Sequence, residues 1–131
     1  MDKQHQIVII GGGTAGIMTA TQLLKKNASL DIAIIDPAET HYYQPAWTLV
    51  GAGAYDYKNT ARSMASLIPK SVTWVKDFVT SFQADEHTID TENSGKIGYE
   101  FLVVAPGLVM DPSLIEGLTE AMEKGIVCSN Y

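Results

Sequence analysis

The sequence predicts an α/β fold in which a parallel sheet, built around one βαβ unit, carries a small inserted antiparallel β-meander. Three observations predict it. Ile7–Ile10 is an unbroken β-branched run that stops at three consecutive glycines, Gly11-Gly12-Gly13. A helical stretch and a second apolar run, Ile32–Ile35, complete a unit of about 30 residues. Short segments separated by turn residues then precede a third apolar run, Phe101–Ala105. Unbroken apolar runs suit strands covered on both faces, where alternation would leave a polar face without water. The chain has 131 residues, 46% of them apolar and 18% charged, which is room and composition for one folded domain.

Between the first two strands, Thr14–Lys26 places Ile17, Ala20 and Leu24 at helical spacing and Lys25-Lys26 at the negative end of the helix dipole. Asn27 ends that helix. Pro37–Tyr57 has no clear period and reads as an ordered loop or a short irregular helix rich in polar aromatics. Ala61, Met64, Ala65 and Ile68 form a helical stripe closed by Pro69, and Val72–Val75 is a short strand. Phe78–Gln83, His87–Thr91 and Lys96–Tyr99 read as the meander, a 78–99 insertion within a single 1–131 domain. Beyond Phe101–Ala105, cut by Pro106-Gly107, a helical turn or two around Leu118–Glu123 and a strand-like Ile126–Cys128 remain.

Charge and composition exclude several functions. Nine Lys plus Arg against fifteen Asp plus Glu give a net charge of −6, which repels a nucleic-acid backbone. Met1–Gln6 is too polar to open a signal peptide, and no apolar run reaches the roughly 18 residues of a membrane span. A cytoplasmic location is the expectation. Cys128 is the only cysteine and cannot form an internal disulfide, while His5, His41 and His87 are too dispersed to announce a metal site.

The chemistry concentrates at the first glycines. Gly11, Gly13 and Gly16 fit G-x-G-x-x-G between a strand and a helix. The first glycine permits the tight turn, the second clears the approach of a diphosphate to backbone, and the third lets helix and strand pack closely. Amides at the start of the helix, with the Thr14 hydroxyl, can hold the anion. Asp36 lies 20 residues beyond Gly16, at the end of the second strand, where its carboxylate can accept hydrogen bonds from ribose hydroxyls and disfavours a 2′-phosphate. These residues point to a dinucleotide. Periodicity alone gives a Rossmann half with NAD as the default, and the inserted meander moves the balance toward FAD by fold analogy.

Three stretches carry a resemblance to a known family. They are Gly11-Gly12-Gly13-Thr14-Ala15-Gly16, then His41-Tyr42-Tyr43-Gln44-Pro45-Ala46-Trp47-Thr48-Leu49-Val50-Gly51-Ala52-Gly53, and Val127-Cys128-Ser129-Asn130-Tyr131. The first is shared by many flavoproteins, whereas the second is far more specific. The chain resembles part of a flavoprotein with two dinucleotide-binding domains, of the pyridine nucleotide-disulfide oxidoreductase kind, and most closely the sulfide:quinone oxidoreductases. The resemblance covers nearly the whole chain but about the first third of a typical member.

The resemblance implies a Rossmann-like FAD-binding fold, incomplete relative to the full family fold. It implies FAD held by Gly11, Gly13, Thr14, Ala15 and Gly16 at the diphosphate and by Asp36 at the ribose. Pro45, Ala105 and Gly107 would lie toward the flavin. Members often have Ala-Thr-Gly where this chain has Ala105-Pro106-Gly107, so Pro106 removes one backbone donor. The implied activity oxidises sulfide through cysteine persulfide chemistry and passes electrons through FAD to a quinone. The cysteines most closely tied to that chemistry lie downstream in the family, which leaves Cys128 as an ordinary small residue or, second to that, an accessory thiol, and the isolated segment without expected catalysis. Peripheral contact with the cytoplasmic face of a membrane would belong to the remainder of the protein, and oligomerisation stays open. Two other readings stand beside this one: another FAD- or NAD-dependent oxidoreductase of the same group, and a noncatalytic truncated domain.

Overall fold

A computed structural model describes residues 3–129. The chain divides into two compact units, one comprising residues up to His41 together with Arg62–Gly107, the other Tyr42–Ala61 together with residues from Leu108 onward.

The first unit contains the sheet. Strand β1 (Lys3–Ile10) leads into helix α1 (Thr14–Lys26) and strand β2 (Ile32–Ile35). Later strands are β5 (Thr73–Val75), β6 (Val79–Gln83), β7 (Thr88–Thr91) and β8 (Lys96–Val104), which follow a short pair, β3 (Thr40–Tyr42) and β4 (Ala61–Ser63). The main sheet has six strands in the order β5-β2-β1-β8-β7-β6. Its first four are parallel, with Ile9 opposite both Ile34 and Val103, and β7 and β6 add antiparallel. The expected βαβ unit is present at the expected residues.

Two apolar clusters occupy the two faces of β1 and β2. Ile7, Ile9, Ile32 and Ile34 meet Ala20, Met64, Ile68 and Val72, with Ile17, Leu23 and Leu24 of α1 packed over them. Val8, Ile10, Ala33 and Ile35 meet Val75, Ile89, Ile97 and Tyr99, so the meander covers the face opposite α1. The continuous apolar runs Ile7–Ile10 of β1 and Ile32–Ile35 of β2 are thus required, because these residues are buried on both sides of the sheet.

The meander is tied down by one carboxylate. Asp77 is buried and accepts hydrogen bonds from the backbone N–H of Phe78 at 2.8 Å, Asn93 at 2.9 Å and Ser94 at 2.6 Å, and from Asn93 Nδ2 at 3.2 Å. Burial pushes this carboxyl up, but the donors from Ser94, Asn93 and Phe78 outweigh it and hold the group below the ordinary carboxylate range. The β7–β8 turn is thereby fastened to the end of β5.

Several expectations change. Ala61–Ile68 is not one helix: Ala61–Ser63 is strand β4, and helix α3 covers only Met64–Leu67. Ile68 is extended, as a residue before proline prefers, and Met64 and Ile68 are buried while Ala65 is exposed. Lys96–Tyr99 and Phe101–Ala105 are not separate strands, because β8 runs unbroken from Lys96 to Val104, pairing with both β7 and β1 at its start and with β1 beyond. Phe101 and Val104 are exposed, contrary to the reading of a doubly covered strand.

In the second unit, Gln44–Ala46 forms a 3-10 turn that runs into helix α2 (Trp47–Gly51), and helix α4 spans Leu118–Glu123. Tyr42, Trp47 and Tyr57 form a ring cluster with centroids 5.9–6.1 Å apart. Trp47 Nε1 donates to the buried Thr60 hydroxyl at 3.2 Å. Ile126–Cys128 is not a strand: the amides of Ile126 and Val127 close the end of α4 by donating to Ala121 O, and Gly125 takes the left-handed conformation that the reversal requires. Among the described residues, no helix is long and apolar enough to cross a membrane.

Candidate functional site: the glycine loop at the end of β1

The loop between β1 and α1 is held from three sides. Gly11 adopts φ +100°, and a Cβ there would lie 2.1 Å from Ala105 O, beyond the end of β8. Ala105 N–H in turn donates to Ile10 O at 2.8 Å, so the two chain segments lie as close as backbone permits. A Cβ on Gly16 would lie 1.9 Å from Gly11 O and 3.2 Å from Ile9 Cγ2, which leaves that position of α1 to glycine. Gly13 differs from both: its φ is −72° and nothing lies within 4 Å of the point where a Cβ would stand, so the loop presents bare backbone there. Thr14 and Ala15 are exposed, no side chain caps the start of α1, and its first turn carries no acid. Uncapped amides at the positive end of a 13-residue helix, beside a glycine with open space, suit an anion that reaches the backbone.

The acid at the end of β2 meets this loop directly. Gly12 N–H donates to Asp36 Oδ2 at 2.6 Å, and Ala38 N–H donates to Oδ1 at 2.7 Å. The sequence places Asp36 beside the loop but does not announce that its carboxylate is already engaged with backbone. A carboxylate has about four lone-pair sites, so two remain for hydroxyl donors. The backbone of Asp36 is held as well, its N–H donating to Val75 O at 3.1 Å and its carbonyl accepting from Trp74 Nε1 at 2.9 Å. Met64 fills the space beneath: its Sδ and Cε lie 3.1 Å from where a Gly12 Cβ would stand, and Asp36 Cβ lies at 3.2 Å.

Sequence reasoning missed Trp74 and Met64. Trp74 was visible only as a strand residue and Met64 only as part of a helical stripe. The one available signal was an amphipathic indole on the strand next to the acid, since a half-buried indole N–H needs an acceptor.

The structure therefore brings together Gly11, Gly13, Thr14, Ala15, Gly16, Asp36 and Ala105 in the first unit. Gly107, exposed with φ +78°, ends that unit. Pro45, exposed in the 3-10 turn, and Cys128, exposed beyond α4, belong to the second unit. Asn130 and Tyr131, the last residues of the third resembling stretch, lie outside the described residues. Among the described residues, no group of three or more His, Cys, Asp or Glu side chains is arranged to hold a metal ion.

The sequence matches the family described as pyridine nucleotide-disulphide oxidoreductase over residues 5–130. It is 44% identical over 127 residues to the mitochondrial sulfide:quinone oxidoreductase of Dictyostelium discoideum, covering 96% of this chain and 28% of that protein. It is 39% identical over 129 residues to the mitochondrial sulfide:quinone oxidoreductase of Mus musculus, covering 98% of this chain and 29% of the relative. The crystal structure of the sulfide:quinone oxidoreductase from Aquifex aeolicus superimposes with a TM-score of 0.71 at 29% identity, over 83% of this chain and 25% of that one. The chain thus spans under a third of the length of these relatives. A glycine loop with open backbone, a carboxylate at the neighbouring strand end and a match across nearly the whole sequence agree: the chain belongs to the pyridine nucleotide-disulphide oxidoreductase family, with FAD as its indicated cofactor.

Proposed function

We propose that residues 1–131 make up part of the FAD-binding domain of a sulfide:quinone oxidoreductase, with 78–99 as its meander insertion. In this reading Gly11, Gly13, Thr14, Ala15 and Gly16 receive the diphosphate, Asp36 receives the adenosine ribose, and Pro45, Ala105 and Gly107 serve the regions nearer the flavin. The observation that carries the reading is the open backbone at Gly13 beside the uncapped start of α1, with Asp36 bonded to Gly12 across the loop. Likeness to two mitochondrial sulfide:quinone oxidoreductases supports sulfide as the electron donor and a quinone as the acceptor. When bound, FAD supplies the two-electron exchange between those substrates.

The chain's own residues bind and orient. The helix amides neutralise the diphosphate without a basic side chain, and Asp36 excludes a phosphorylated ribose by charge. Cys128 is exposed and takes at most an accessory part in sulfur chemistry, because the family resemblance assigns the cycling cysteines to the remainder of the protein.

Two measurements test the reading at its two levels. Denaturing release followed by mass identification is expected to recover FAD from the protein, and recovery of NAD in its place would contradict the cofactor assignment. Exchange of this chain for the corresponding segment of the Dictyostelium enzyme is expected to preserve sulfide-dependent reduction of a soluble quinone. A chimera that retains FAD but has lost that activity would contradict the substrate assignment.

Asp36→Ala is expected to weaken FAD binding by about tenfold or more, the scale of a lost hydrogen bond to a charged group. It also lowers thermal stability, because the amides of Gly12 and Ala38 lose their acceptor. Equal FAD affinity of the folded variant and the parent, read by fluorescence titration, would count against the ribose role.

A further inference from the structure

Asp36 is tied at every polar atom it has. Its carboxylate oxygens accept from Gly12 and Ala38, its N–H donates to Val75 O, and its carbonyl accepts from the indole of Trp74. Two of these four ties come from β5, one through the main chain and one through the Trp74 side chain. The indole is itself held. It is half-buried against the cluster beneath α1, and Lys76 Nζ lies 4.5 Å from the ring centroid. Lys76 also pairs with Glu39 at 2.9 Å, on the segment that leaves Asp36. The Lys76 ammonium beside Glu39 holds that carboxyl below its usual range. Trp74 and Lys76 therefore grip residues 36 to 39 from the neighbouring strand.

The main-chain ladder between β2 and β5 places Asp36 approximately, since Val75 O accepts its N–H as in any parallel pair. The indole bond adds something the ladder does not. An acceptor bond on Asp36 O restricts rotation of the peptide plane that follows, and that plane leads to Pro37 and Ala38, whose amide holds Oδ1. Rotation there would carry the Ala38 amide away from Oδ1 and release the carboxylate on that side. The two carboxylate bonds occupy one lone pair on each oxygen and the two backbone bonds hold the residue that carries them, so the remaining lone pairs keep a fixed direction.

We propose that Trp74 is a positioning residue for ribose recognition: its indole N–H, bonded to Asp36 O, fixes the carboxylate so that the site prefers a nucleotide bearing a free 2′-hydroxyl. This rests on the assignment of Asp36 to the ribose and names the group that makes that acid selective. Trp74 contacts neither diphosphate nor ribose in this account. Its effect passes through Asp36 and leaves the Gly13–Gly16 backbone unaltered.

The test titrates three probes, ADP, 2′-deoxy-ADP and inorganic pyrophosphate, into the parent protein and into Trp74→Phe, which keeps an aromatic ring but removes the N–H. The parent is expected to prefer ADP over 2′-deoxy-ADP by about tenfold. In Trp74→Phe that ratio is expected to fall to within about threefold of unity, with pyrophosphate affinity unchanged within about twofold. Should the phenylalanine variant fail to fold, replacement of Trp74 by benzothienylalanine removes the N–H with nearly the same shape, and the same ratio is read. An unchanged ratio in the folded variant overturns the proposal. Parallel weakening of all three probes also overturns it, because that is the signature of a general structural loss. A parent that binds pyrophosphate and ADP but shows no preference overturns the ribose assignment of Asp36 and this proposal with it, whereas a parent that binds none of the probes overturns the dinucleotide reading itself.

Discussion

Gly16→Ala is expected to destabilise the protein by at least about 1–3 kcal/mol, the usual cost of inserting a methyl into a packed site, and to abolish cofactor binding at working concentrations. The reason is contact with backbone. The added Cβ would fall 1.9 Å from Gly11 O, and a carbonyl in a strand-to-helix turn cannot swing aside as the tip of a side chain can. Either α1 lifts from the sheet, which opens the cluster of Ile9, Ile34 and Ala20, or the loop shifts and loses its bond to Asp36. Gly11→Ala meets a comparable obstacle at Ala105 O, 2.1 Å away, and adds the left-handed penalty of roughly 1–2 kcal/mol for a residue with a Cβ. Chemical denaturation of both variants checks the expectation. A midpoint equal to that of the parent for Gly16→Ala would mean that helix and strand do not approach as closely as described.

Asp77→Asn is expected to lower Tm by roughly 5–10 °C and to flatten the acid limb of the stability profile. Asparagine offers one acceptor oxygen where the carboxylate meets four hydrogen bonds, and its amide N–H groups would face either Phe78 N–H and Asn93 Nδ2 or the backbone N–H groups of Asn93 and Ser94. The sign of the pH effect follows from the direction of the shift. Asp77 is held below the ordinary carboxylate range in the folded protein and titrates near about 3.9 when unfolded. The unfolded chain therefore binds the extra proton first. Stability from this group is fully present above about pH 5 and is lost as the pH falls toward the depressed folded value. Thermal melts of parent and variant between about pH 3 and 7 should converge toward the acid end. Parallel curves would show that the carboxylate is not the acid-sensitive anchor of the meander.

The parts of this fold that are legible in the sequence are those whose physics is local or periodic. Ile7–Ile10 and Ile32–Ile35 announce buried parallel strands because both faces of each are covered, and the glycine spacing announces the turn because only glycine fits at Gly11 and Gly16. The stripe at Ala61–Ile68 misled because four apolar positions at helical spacing can also be divided between a strand and one helical turn, with Pro69 holding Ile68 extended. The join of Lys96–Tyr99 to Phe101–Val104 was illegible because Glu100 breaks the apolar pattern without breaking the strand.

At the site, the pairing of Asp36 with the loop could be read as proximity from the separation of strand ends. Its bond to Gly12 could not, since it depends on the turn of one peptide plane. Trp74 and Asp77 act across 38 and 16 to 17 residues of sequence, respectively, and no periodicity reports such contacts.

In the proposed function a diphosphate meets bare backbone at Gly13. That position is the one of the three motif glycines where an added Cβ would meet nothing within 4 Å beyond its own chain neighbours and where φ is ordinary. Gly13→Val should therefore leave the denaturation midpoint unchanged within the equivalent of about 0.5 kcal/mol while FAD affinity, read by flavin fluorescence titration, falls by about tenfold or more. A folded Gly13→Val protein that binds FAD as tightly as the parent would contradict the account.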